Sequence, residues 1–278
     1  MYSRRILSML AVLIAGWSIW CGSSPIDIPR PEHPRPDFER ADWLNLNGTW
    51  EFRFDPEDRG IEEGWWQPET RFESRIRVPF CWESKLSGIR DTEGHQIGWY
   101  RHEISVPGDW RGRRVWLRFE AVDWEGRVWV DGAEVGHHAG GYTPFAFDIT
   151  DHVPPGESGT VVVRAYDPTD THLPTGKQVA RWYTFTSGIW QTVWLEARPA
   201  TYLENFFLIP KRKGDDWSLE VSGTVKGPDG AAIIRLTSPD PTVKQAEAEI
   251  QIKGGTAEFR TEFPVKNPQL WWPEDPHL

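Results

Sequence analysis

The stretch Val115–Thr150, VWLRFEAVDWEGRVWVDGAEVGHHAGGYTPFAFDIT, constrains this chain most. Val115, Leu117, Phe119 and Ala121 alternate with Trp116, Arg118 and Glu120. That period of two is the mark of a half-buried strand. A second strand, Arg127–Asp131, turns Val128 and Val130 inward. Asp131-Gly132 then supplies the two residues that a type I′ hairpin turn needs, because both central positions take φ > 0. Gly140-Gly141, followed by Pro144, bends the chain into another strand with a residue that cannot donate to a ladder. A chain built on this stretch is a β protein.

The same alternation recurs along the sequence. Trp50, Phe52 and Phe54 share a face, as do Tyr100, His102, Ile104 and Val106. Phe72–Val78 adds a strand, Val161, Val163 and Ala165 mark another, and Val193 with Leu195 a further one. No amphipathic helical pattern follows the N-terminus. The fold class is therefore all-β, and roughly eight or more strands between residues 43 and 198 suit a jelly-roll β-sandwich. Arg198-Pro199-Ala200 reads as a boundary. Beyond it come five alternating segments, 202–209, 217–225, 232–236, 246–252 and 257–263. An immunoglobulin-like sandwich needs about seven strands, so residues 199–278 are expected to form an incomplete, truncated one.

Residues 1–21 read as a signal peptide. Arg4 and Arg5 precede an apolar run, Ile6–Trp20, of about 15 residues, short for a membrane span. The expected location is secreted or periplasmic, with no membrane span once the signal is removed. Lipid attachment at Cys21 is a weaker option, since Trp20 is a poor small-residue neighbour. Residues 22–42 are proline-rich and are expected to form an extended linker. The formal charge of −10 argues against a nucleic-acid partner. With only two cysteines, Cys21 and Cys81, there is no disulfide framework, and Cys81 within VPFCW reads as a small buried hydrophobe.

No nucleophile elbow, P-loop or dinucleotide fingerprint occurs. His137 and His138 are adjacent, so on a strand they point to opposite faces, and no histidine shows metal-ligand spacing. Neither a metal nor a cofactor is expected. Asn47-Gly48-Thr49 matches a glycosylation sequon, a common pattern of little weight. The tryptophans, 18 in all, have two readings. Trp116 and Trp129 face away from their inward neighbours, as sugar platforms or, preferably, as packing against a neighbouring domain. Trp271-Trp272 is expected in core or interdomain packing. The long segment Asp167–Trp182, DPTDTHLPTGKQVARW, carries Lys177, Gln178 and Arg181, which could meet an anionic or hydroxyl-rich ligand.

The run VWVDGAEVGHHAGGYTPFAFDIT, the DPTD loop, GKQ and TSGIWQTVWLE resemble the N-terminal region of family 2 glycoside hydrolases, the β-galactosidase and β-glucuronidase group. LNGTWEFRF, VPFCWES, GWYRHEISVP and the terminal LWWPEDPHL fall in the same order, so the resemblance covers residues 43–278. It implies a jelly-roll sugar-binding domain over 43–198 and an immunoglobulin-like domain after it. In the family a catalytic (β/α)₈ barrel follows, needing about 250 further residues. No position here inherits a catalytic role, and the chain is expected to be inactive alone, with that barrel as intramolecular partner and carbohydrate as ligand. The resemblance places two loops at the sugar pocket, giving Arg90, Asp91 and His95 from one and Lys177, Gln178, Arg181 and Trp182 from the other. Trp182 stands where galactosidase- and glucuronidase-type relatives carry an aspartate, which implies a different glycan. The alternatives are a stand-alone carbohydrate-binding module and a ligand-free interaction domain.

Overall fold

The computed structural model describes residues 28–168, 172–175, 182–238 and 245–276. In the first part of the chain the strands are β1 (Trp43–Asn45), β2 (Gly48–Phe54), β3 (Ser74–Val78), β4 (Ile97–Ser105), β5 (Arg114–Phe119) and β6 (Val122–Asp123). They continue as β7 (Glu125–Val130), β8 (Ala133–Ala139), β9 (Phe145–Asp148), β10 (Ser158–Tyr166), β11 (Gly188–Ile189) and β12 (Val193–Arg198). Two 3₁₀ turns, Lys85–Ser87 and Gly108–Trp110, are the only helical segments among the described residues. One sheet runs β1-β12-β5-β9, the other β3-β2-β4-β10-β7-β8, and all the pairings are antiparallel.

The alternation read from sequence places the core. Val115, Leu117, Phe119, Val128, Val130, Val161, Val163, Val193 and Leu195 meet between the two sheets with Trp50, Phe52, Trp82 and Tyr100. Asp131 and Gly132 take φ of 47° and 78° and close the β7–β8 hairpin. Asn47 of the sequon is buried and takes part in this frame: its amide donates to Pro29 O and its carbonyl accepts from Val193 N.

Both outer faces of the sandwich are covered as well. Over the larger sheet, residues 55–72 fold down so that Trp65 and Phe72 bury Trp99, Trp129 and Val162. Trp129 stacks on Trp99 at 5.4 Å and is therefore neither a sugar platform nor a domain contact. Over the smaller sheet lies the start of the described chain. His33 packs edge-on to Trp43 and Trp194, and Arg30 O accepts from Asn45. Residues 28–37 hold no helix or strand, as a proline-rich segment should, yet they are not a free linker. The rings of Trp43 and Trp194 give them apolar surface to cover, and Trp194 ends fully buried.

The second part of the chain contains β13 (Tyr202–Lys213), β14 (Asp216–Lys226), β15 (Gly230–Leu236), β16 (Ala246–Ile252) and β17 (Thr256–Val265). They form a three-stranded sheet, β13-β14-β17, and a two-stranded one, β15-β16. Val221, Val225, Ile252, Ala257, Phe259 and Phe263 make a small core. Trp271 and Trp272 are 54% and 59% exposed, against the expectation of packing, because no described element lies over them. Where the parts meet, Trp116 stands edge-on to Tyr202, and Arg198 lies over both rings. Trp116 thus packs against the second set of strands. Beneath it, buried Glu196 faces Arg198 at 2.6 Å, Arg40 at 2.8 Å and Arg118 at 3.6 Å.

Candidate functional site

Several connections gather at one end of the sandwich and hold one another by hydrogen bonds. Ser187 N donates to Glu83 Oε2 at 3.1 Å, Ile189 N to the Tyr100 hydroxyl at 3.2 Å, and Asp167 N to Gln96 O at 2.7 Å. The Trp190 indole donates to Gly141 O at 2.8 Å, which ties the glycine bend to the strand leaving this end. The loop between β3 and β4 is shaped by local polar groups. Ser84 accepts from Leu86 N and caps the 3₁₀ turn, and Asp91 Oδ1 accepts from Glu93 N. Asp91 Oδ2 lies 3.1 Å from His95 Nε2. The Glu93 amide first, and His95 with it, hold the Asp91 carboxyl below its ordinary range. His95 in turn stacks on Phe54 at 3.8 Å.

This loop leads His95 and Gln96 into a cleft of about 740 Å³ on the outer side of the larger sheet. Opposite them stand Glu125, Arg164 and Tyr166, with Asp58 at the edge. Arg164 pairs with Asp58 at 2.7 Å and lies over the Tyr166 ring at 5.3 Å. Asp55, at the floor, is already spent on the fold: it accepts from Arg59 N, Gly60 N and the Trp99 indole. A cleft of this size, with an aromatic ring, a guanidinium, carboxylates, an imidazole and an amide, can pair with the many hydroxyls of a sugar.

Behind it lies a buried acidic group. Asp123, Asp167 and Glu83 are all shielded from water. Burial first, then the negative charges of Asp167 and Glu83, push the Asp123 carboxyl up to about 8. Burial likewise raises Glu83. Asp123 Oδ1 and Glu83 Oε1 have no partner among the described residues. Gly141 packs so close to Asp123 that a Cβ would overlap the carboxylate. The Cys81 thiol is held up at about 11, by burial and then by Glu83, and so stays protonated. This fits a packing residue better than a nucleophile.

Of the residues expected at a sugar pocket, Asp91 and His95 come together as a pair, and His95 lines the cleft. Arg90 is exposed, with φ of 55°. Trp182 is 80% exposed, and its chain neighbour Tyr183 is exposed as well. Lys177, Gln178 and Arg181 lie outside the described residues. Sequence reading missed Arg164, Tyr166, Glu83 and Asp123. For Asp123 a signal existed: Ala121-Val122-Asp123 breaks the alternation and all three are buried. His138, adjacent to His137, bonds Thr143 Oγ1 at 2.9 Å and stacks on Phe145.

A two-sheet jelly roll with a polar cleft at its loop end, followed by immunoglobulin-like strands, defines a β-sandwich protein with a small-ligand cleft. The chain belongs to glycosyl hydrolases family 2: residues 44–199 match the family's sugar binding domain and residues 201–278 its next domain. It is 26% identical to a β-galactosidase of Thermoanaerobacter pseudethanolicus, over 86% of this chain and 31% of that protein. It is 28% identical to a β-glucuronidase of Bacteroides fragilis, over 86% of this chain and 34% of the relative. The chain thus spans about a third of the length of these relatives. Its fold is similar to that of a Ruminococcus gnavus β-glucuronidase solved with uronic deoxynojirimycin, with a TM-score of 0.68 and 23% identity over 86% of this chain and 42% of that one. Among the described residues no helix is long and apolar enough to cross a membrane.

Proposed function

We propose that this chain is the sugar-binding front region of a retaining glycosidase: it shapes one wall of a substrate pocket and leaves bond cleavage to a barrel. The observation that carries this reading is the loop-end cleft, into which the Asp91-oriented His95 projects opposite Arg164 and Tyr166. Trp182, exposed on the neighbouring loop, would add an aromatic face for the glycan. Arg90, Lys177, Gln178 and Arg181 belong to the same two loops and would complete the rim. The exposed Phe207, Leu208, Ile209, Trp271 and Trp272 suit the contact with the barrel as an intramolecular partner. Residues 43–198 act as the sugar-binding unit and 199–278 as a spacer, and residues 1–21 direct export.

Calorimetry of the whole chain with methyl β-galactoside and methyl β-glucuronide tests the reading. We expect weak, saturable binding, with Kd of about 1–10 mM. His95→Ala and Tyr166→Ala should each weaken it several-fold. No heat with either sugar, nor with plant oligosaccharides, would overturn the proposal. Turnover of nitrophenyl glycosides by the purified chain would overturn the statement that it is inactive alone.

A further inference from the structure

A second cleft, of about 450 Å³, opens between residues 28–37 and the rim of the sandwich. Its walls carry Phe80 and Trp190 as aromatic surfaces and Glu120, Gln191, Arg30 and Glu32 as polar groups. Trp190 is anchored by its bond to Gly141 O and by edge-on packing with Tyr142, so its ring is a fixed surface. Glu120 Oε2 on one wall and His33 Nε2 on the other lack a hydrogen-bond partner among the described residues. An acceptor shielded from water without a donor is costly. We propose that this cleft is a separate binding site for a neutral sugar.

Three features select that chemistry. The volume falls within the roughly 300–1,000 Å³ of small-ligand sites and suits one or two sugar rings. A sugar ring offers an apolar C–H face to an aromatic wall and a rim of hydroxyls, each both donor and acceptor. Glu120 and Glu32 accept, Arg30 donates and the Gln191 amide does both, so a hydroxyl meets a partner in either role. Arg30 pairs with Glu32 at 3.8 Å, and Glu120 adds a second carboxylate to the walls, so the lining gives an anionic sugar no advantage. The site shares no residue with the cleft around His95 and Arg164, so the two can be tested apart.

The test follows the Trp190 indole N–H in the ¹⁵N-labelled whole chain, identified by its loss in Trp190→Phe. Methyl β-galactoside, methyl β-glucoside and glucuronate are the probes. The indole signal should move saturably with a neutral glycoside and little with glucuronate. Glu120→Gln and Gln191→Ala should each weaken that response about tenfold, the loss of one hydrogen bond. Tyr166→Ala, in the other cleft, should leave it unchanged. No movement with either neutral glycoside at about 100 mM would overturn the proposal, as would a response stronger for glucuronate or one unaltered by both substitutions. Gln191 is half-exposed and its loss is compatible with folding, so the test stands even where Glu120→Gln disturbs the rim.

Discussion

Asp123 is 1% exposed beside Glu83 and Asp167, and its carboxyl is lifted to about 8. The folded chain therefore holds a proton that the unfolded chain releases near the ordinary carboxylate value. A raised carboxyl binds more protons in the native state, so stability falls as pH rises. This contribution is fully present below about pH 4 and is lost as pH climbs through about 8. Asp123→Asn keeps the shape, removes the titration and offers two N–H donors to the neighbouring carboxylates. We expect it to stabilise the chain by about 2 kcal/mol at pH 8, where thermal denaturation should also show a flatter pH dependence. A variant less stable than the parent at pH 8 would mean that Asp123 is ionised and usefully paired.

The two-residue strand β11 pairs with β6 and closes the loop end. Gly188 takes φ of 81°, a region that L side chains rarely adopt. It is also wedged between Trp82 and Tyr100, and an added Cβ would overlap the Tyr100 hydroxyl. That hydroxyl accepts from Ile189 N, so movement of Tyr100 would break a buried hydrogen bond. Gly188→Ala should cost about 3 kcal/mol through backbone strain and overpacking, measured by urea unfolding. It should also disturb the Ser187–Glu83 contact and with it the cleft. Gly132→Ala, in the hairpin turn, would set a Cβ 3.2 Å from Pro68 Cδ and in ordinary contact with Trp66, a milder crowding that should cost about 1 kcal/mol.

Across the whole molecule the two parts are unequally built. The sandwich buries four fully enclosed tryptophans and covers both outer faces, whereas the second part has one small core and exposes Phe207, Leu208 and Ile209 on a single strand. Amide exchange should be faster over 202–265 than over 43–198, since few buried apolar contacts mean low opening free energies. Equal protection would show that the small core suffices. The joint between them depends on Glu196. Glu196→Ala would leave Arg40, Arg118 and Arg198 without their shared carboxylate and should cost about 3–5 kcal/mol. Its exchange signature should centre on 194–204, where both parts contribute to the joint.

The strands were legible in the sequence because the period of two is local: each inward Val, Leu or Phe of β5, β7, β10 and β12 declares itself through its neighbours. The Asp131-Gly132 turn was legible for the same reason, as was the place of His95 on a polar loop between two strands. What covers the outside of a sheet is decided by residues far away in the chain, and alternation says nothing of it. Trp129 and Trp194 each alternate with inward neighbours and so point away from the core, and residues 55–72 and 28–37 cover them. Arg164 and Tyr166 sit on the outward face of an ordinary strand, and only the approach of His95 and Gln96 makes them a cleft. By itself, then, the sequence determined an all-β chain, its hairpin and its family. The tertiary structure alone decided which polar groups share a cleft and which carboxyl is stripped of water, because both depend on long-range contacts that no local pattern encodes.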